Sequence, residues 1–152
     1  MCTNPIIPAG CKQVPPELID GKILFAHPDG YFVSQYGQKI KHNYGPAMRE
    51  RRPNMHGAYP TMFHFGNKTC HSLMCATFHG PRPEGYQCDH LNGNKFDYSA
   101  ANLEWVTPAE NIRRAKILRA LRAIGRDPKL IPYDELRAIM NHYEFVNPSK
   151  IM

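Results

Sequence analysis

Apolar and polar positions alternate in short runs through the first half of the chain, then shift to helical spacing in the second. Residues 22–26 read as a strand. Pro28-Asp29-Gly30 is a turn signal, residues 31–34 a second strand, and Tyr36-Gly37 a turn before the polar strand 38–41. Short strands around tight turns predict β-hairpins. Residues 57–65, with Tyr59, Met62, Phe63 and Phe65, predict another strand, turned by Gly66-Asn67-Lys68. Between them, residues 42–56 are polar and carry Arg49, Arg51 and Arg52, a solvated loop or one that contacts phosphates. Residues 71–78 place Leu73, Met74, Ala76 and Thr77 at helical spacing and predict a short buried helix. Before all of this, Pro5, Pro8, Pro15 and Pro16 predict an extended lead-in with little regular structure of its own.

The second half is better punctuated. Residues 86–90 predict a strand that runs into Asn92-Gly93-Asn94, where Asn-Gly tolerates the positive φ of a tight reversal. Residues 95–101 form a polar loop and residues 103–106 the returning strand. Leu103 with Trp105 or Val106 would be its buried side, the single tryptophan plugging the core. Thr107-Pro108-Ala109-Glu110 is a helix start: a Thr cap, Pro at the first helical position and Glu three residues after the cap. Asn111 therefore falls in the first turn. Ile112, Ala115, Leu118 and Leu121 keep helical spacing, Gly125 is the expected C-terminal cap, and Asp127-Pro128 breaks the chain. A second short helix over 133–143, read as packing, follows Pro132. The fold class is α+β: short N-terminal β-hairpins, a compact strand–strand–helix core and short C-terminal helices. The boundaries are a lead-in at 1–20, a β-rich module with one helix at 21–80, the core at 81–126 and a helical tail at 127–152.

At 152 residues the chain fits one domain with appendages, and fourteen prolines and eleven glycines favour short elements. The five cysteines (Cys2, Cys11, Cys70, Cys75, Cys88) are odd in number and lack a C-x-x-C pair, which favours free thiols in a reducing compartment. A zinc-stabilised binding protein using Cys70, Cys75, Cys88 and a histidine is the alternative. No apolar run approaches the roughly 20 residues of a membrane span, and no charged-then-apolar leader opens the chain. The expectation is a cytoplasmic protein with no membrane partner. The net charge of +6 is unevenly placed: between Thr107 and Lys129 stand seven basic residues against two acidic ones. That concentration predicts contact with a polyanion's phosphates.

The charge lies just beyond a group of chemistry-bearing residues. Asp89 and His90 are adjacent, and Asn111 opens the helix that follows. A carboxylate and an amide oxygen suit a hard divalent ion such as Mg²⁺, and an imidazole that titrates near neutrality suits a general base. Together they could hydrolyse a phosphodiester. Successive side chains of a strand point to opposite faces. Either the strand bends at Asp89-His90, or His90 approaches the phosphate from beside an ion that Asp89 holds.

Asp89-His90-Leu91-Asn92-Gly93-Asn94, then Asn102-Leu103-Glu104-Trp105-Val106-Thr107, then Asn111, resemble the HNH nucleases, specifically the phage and intron homing-type branch. Residues 30–37 resemble the small module that often precedes that core, and His71-Ser72-Leu73 with Ala76-Thr77-Phe78 resemble its helix. The match runs over about residues 28–115. It implies a ββα-metal (His-Me finger) unit that cuts double-stranded DNA with Mg²⁺ or Mn²⁺, in a phage- or bacterium-encoded enzyme. By resemblance His90 is the general base, Asp89 and Asn111 are the metal ligands, and Asn102 is the second catalytic position, bracing the loop that holds the base. Arg113, Arg114, Lys116 and Lys95 are the expected DNA contacts. A double-strand break from one active site requires a homodimer or two successive nicks. The chain departs from the family at Tyr98, expected to loosen the loop or stack on a base or sugar, and at Ser72. The alternative function is a DNA-binding module that keeps the fold and cuts weakly.

Overall fold

A computed structural model of the chain describes residues 7–41, 60–62, 65–66 and 68–143. The polar loop with Arg49, Arg51 and Arg52, and residues 57–59 and 63–64 of the expected strand, lie outside the described residues. The described part is mixed α+β. β1 (Lys12–Gln13), β2 (Phe25–His27), β3 (Tyr31–Val33) and β4 (Lys39–Ile40) form an antiparallel sheet in that order. β5 (Thr61–Met62) pairs with β6 (Lys68–Thr69), which leads directly into α1 (Cys70–His79). β7 (Gln87–His90) pairs antiparallel with β8 (Leu103–Val106), and α2 (Pro108–Ala123) and α3 (Tyr133–His142) follow.

The described part of the expected lead-in, residues 7–20, carries a short strand and a 3₁₀ turn and joins the core. β1 pairs with β2, Val14 N–H donates to Leu24 O at 2.9 Å, and Val14 and Ile19 are fully buried. Prolines at strand ends and at the first position of a 3₁₀ turn cost no ladder bond. The strand expected at 22–26 forms later, at Phe25–His27, and Leu24 O still accepts from Val14 N–H.

Two apolar clusters flank the β7–β8 hairpin. The first joins Val14, Ile19, Leu24, Phe32, Leu73, Met74, Cys75 and Tyr98 with Leu103 of β8. The second joins Leu91, just after β7, with Ile117, Leu118, Leu121, Ile131, Leu136 and Met140. α1 is buried on most of its surface, so its polar Thr77 is satisfied internally, donating to Leu73 O at 2.7 Å. Trp105 is only partly buried. Its ring rests on the first cluster and its indole N–H donates to Gly80 O at 2.9 Å, closing the end of α1.

α2 begins where its capping residues predict. Thr107 Oγ1 accepts from Glu110 N–H at 3.1 Å. Its end is a Schellman motif, with Gly125 at φ 84° donating to Arg122 O and Arg126 N–H donating to Leu121 O. Its buried stripe differs from the expected one. Arg114, Ile117, Leu118 and Leu121 face inward, whereas Ile112 is 61% exposed and Ala115 is exposed. The helix is rotated because Arg114 is drawn inward by carboxylates on β7 and β8.

Candidate active site

The β7–β8 ladder is continuous, pairing Gln87 with Val106, Cys88 with Trp105, Asp89 with Glu104 and His90 with Leu103. With no bend at Asp89-His90, the two side chains leave on opposite faces. Gln87 and Asp89 face α2: Asn111 Nδ2 donates to Gln87 Oε1 at 2.8 Å, and Arg114 Nη1 donates to Asp89 Oδ2 at 3.2 Å. Cys88 and His90 face α1: the Cys88 thiol lies 3.7 Å from His71 O, and the His90 ring meets the His71 ring edge-on with centroids 4.8 Å apart. His71 therefore lies against the residue expected to be the base.

Burial sets the charge state of these groups. Desolvation pushes the Asp89 carboxyl up to about 6, against the pull of the Arg114 guanidinium. It lowers His90 to about 4, and it lowers His71, helped by the facing His90, to about 3. Both imidazoles are neutral at pH 7. Burial pushes the Cys70 thiol up to about 12, and a bond with Cys75 together with burial raises Cys88. The four described cysteines are free. Among the described residues no three His, Cys, Asp or Glu side chains are grouped to hold a metal ion, so the zinc alternative has no site there.

Asn102 is fully buried and holds the loop that follows His90. Its Oδ1 accepts from Asn92 N–H at 3.1 Å, while its Nδ2 donates to Asn92 Oδ1 at 3.0 Å and Asp97 O at 2.9 Å. Gly93, at φ 74°, lets the turn settle on α2, where Leu118 Cδ1 and Arg122 Nη2 would lie 3.0 and 3.2 Å from an added Cβ. Tyr98 neither loosens this loop nor faces a base. It is 9% exposed and stacks on Phe32 with ring centroids 6.0 Å apart, anchoring the loop in the first core cluster.

Arg114 is turned inward rather than displayed on the helix surface. It is 4% exposed, and besides Asp89 it donates to Glu104 Oε2 at 3.0 Å and through Nε to Glu110 Oε2 at 2.8 Å. Arg113 bonds Glu110 and caps α3 through the carbonyls of Met140 and Tyr143. Lys116 is exposed on α2, and Lys95 is half-buried on the loop. Sequence reasoning overlooked Gln87, Glu104, Glu110 and Arg137 as neighbours of the site. Glu104 was findable, because it stands opposite Asp89 once the two strands are paired in antiparallel register.

Comparison with known proteins finds one matching segment. Residues 68–113, from β6 into the second turn of α2, match the family described as HNH endonuclease. Residues 30–37 lie outside the match. Over 50 residues the chain is 44% identical to an uncharacterized HNH endonuclease of Acanthamoeba polyphaga mimivirus. The aligned stretch covers 32% of this chain and 13% of that relative. No solved structure matches the chain. Among the described residues no helix is long and apolar enough to cross a membrane.

Proposed function

We propose that the chain hydrolyses DNA phosphodiester bonds through a ββα-metal unit built from β7, β8 and α2, with His90 as general base and Asp89 and Asn111 as ligands of one Mg²⁺ or Mn²⁺. The uninterrupted β7–β8 ladder carries this reading. It supports the arrangement in which Asp89 and His90 act from two sides of one strand, so that the base is not also a metal ligand.

The donor set fits a hard divalent ion. Both donors are oxygens, the ligand type such an ion prefers. When bound, the ion would neutralise charge developing on the phosphate. The remaining work falls to the chain. His90, neutral at pH 7, would accept the proton of the attacking water. Asn102 would act through the loop, holding the backbone after His90 against Asn92 and Asp97. Lys95 beside the turn and Lys116 on the open face of α2 would meet phosphates. Arg119 and Arg122, exposed on the same helix, would take the place expected of Arg113 and Arg114.

Nicking of a supercoiled plasmid with Mg²⁺ or Mn²⁺ tests the proposal. A general base contributes about 10²- to 10⁴-fold, so His90→Ala should lose at least two orders of magnitude while still retarding DNA in a gel. Equal nicking by the two proteins would refute the assignment. No nicking by wild type, with DNA retarded, would favour a binding module that keeps the fold.

A further inference from the structure

The face of β7 that carries Asp89 holds more ionic groups than a two-ligand site needs. Asp89 and Glu104 stand directly opposite one another across the ladder. Like charges in that position repel. Arg114 fills the gap, its Nη1 shared between Asp89 Oδ2 at 3.2 Å and Glu104 Oε2 at 3.0 Å, its Nε on Glu110 Oε2 at 2.8 Å. Arg137 also reaches Glu104 at 2.8 Å, and Arg113 reaches Glu110 at 2.8 Å. Three arginines thus answer three carboxylates, and the network is closed in charge. A divalent ion at Asp89 adds two positive charges beside a cation already there.

We infer that Arg114 is a positioning residue that competes with the metal ion for Asp89 and so keeps metal affinity low until a phosphate arrives. This rests on Asp89 being a metal ligand, as proposed above. The geometry gives the competition a direction. Of the three carboxylate contacts of Arg114, the one to Asp89 is the longest. A guanidinium that surrenders Asp89 stays tethered to Glu104 and Glu110. It is then a fixed fork beside the ion, suited to a phosphate oxygen. The phosphate in turn supplies the negative charge that lets both cations remain. Metal and DNA would enter together.

Mn²⁺ titration by calorimetry, without DNA, tests this on the full chain. A neighbouring charge changes a carboxylate's proton affinity by about ten- to a thousandfold, and a divalent ion feels that charge at least as strongly. Arg114→Gln should therefore bind Mn²⁺ at least about tenfold more tightly than wild type. A residue that merely shaped the site would, when removed, leave the affinity unchanged or lower it, and either result overturns the inference. Should Arg114→Gln fail to fold, Arg114→Lys is measured instead. Its single ammonium cannot span three carboxylates and is drawn to Glu104 and Glu110, so binding again tightens; equal or weaker binding overturns the idea. Asp89→Asn separates the two levels. If it abolishes Mn²⁺ binding while the Arg114 variants bind no more tightly, only the competition is wrong. If Mn²⁺ binding is unaffected by Asp89→Asn, the metal-site reading falls as well.

Discussion

Gly30→Ala tests how the N-terminal sheet holds the candidate site. Gly30 closes the β2–β3 turn at φ 99°, a conformation that L side chains rarely adopt. Strain of this kind costs about 1–3 kcal/mol. An added Cβ would also lie 3.1 Å from Ser99 N, 3.2 Å from Ser99 Oγ and 3.3 Å from Ser99 Cα. Most of that contact is backbone, so the turn and the loop must part. Two hydrogen bonds join them: Ala100 N–H to Pro28 O at 2.8 Å and Ser99 Oγ to Asp29 O at 3.0 Å. At a net value of about 1 kcal/mol each, their weakening brings the expected loss to about 2–4 kcal/mol. Gly85→Ala is the control: its φ is 80°, and nothing lies within 4 Å of an added Cβ. It incurs the strain alone. Urea denaturation should give a larger fall in midpoint for Gly30→Ala than for Gly85→Ala, with the slope unchanged in both. Because Ser99 and Ala100 lead into Asn102, plasmid nicking per folded molecule should also fall for Gly30→Ala. Equal midpoints and equal nicking would show that this turn does not hold the loop.

Three further outcomes follow from other contacts. Tyr133 OH donates to Asp97 Oδ2 at 2.6 Å, and a bond to a charged acceptor in a part-exposed place is worth about 1–2 kcal/mol, so Tyr133→Phe should lose that much in a urea melt. Burial alone would raise Asp97, but bonds from Tyr133, Ser99 and Asn92 outweigh it and leave its pKa lowered; the stabilisation is complete above the ordinary aspartate value of about 3.9 and lost as pH falls through the folded value, so the Tyr133→Phe difference should shrink in acid. His71, held neutral with its pKa near 3 by burial, has the opposite chemistry and the same sign: below the ordinary histidine value of about 6.5 the unfolded chain binds the extra proton, so stability falls on acidification, by about 2 kcal/mol between pH 6.5 and 5, and His71→Gln should flatten that slope. Thr107→Ala removes the cap on Glu110 N–H and should lower stability by about 1 kcal/mol, measured by thermal melting.

What could be read in the chain, and what could not, divides along the range of the interactions. The start of α2 at Pro108 and its end at Gly125 rest on capping within a few residues, and the start of α3 on Pro132 just before it; all three are where those residues predict. The face of α2 was misread because it is chosen from a distance. Periodicity favours Ile112 and Ala115, yet Glu104 and Asp89, on two other strands, turn Arg114 inward and leave Ile112 in solvent. Tyr98 lies in a polar stretch with no period to place it, and its burial depends on Phe32 in the N-terminal sheet. The adjacency of Asp89 and His90 was legible; the choice between a bent and a regular strand was not, because pairing with β8 decides it.

That regular strand has a consequence for how the two halves of the site can be perturbed. His90 stands on the α1 side, against His71 and near the first core cluster; Asp89 stands on the α2 side, within the arginine–carboxylate network. A change in α1 reaches the proposed base without touching the proposed ligands, and a change in the network does the reverse. His71→Gln should therefore alter the nicking rate at saturating metal, and its pH dependence, while leaving Mn²⁺ affinity as in wild type. Arg114→Gln should move Mn²⁺ affinity. If the two faces of β7 respond independently, the two effects should add as free energies in the double variant. Strong coupling between them would mean that the strand moves as the site loads, and the two-sided arrangement would have to be abandoned.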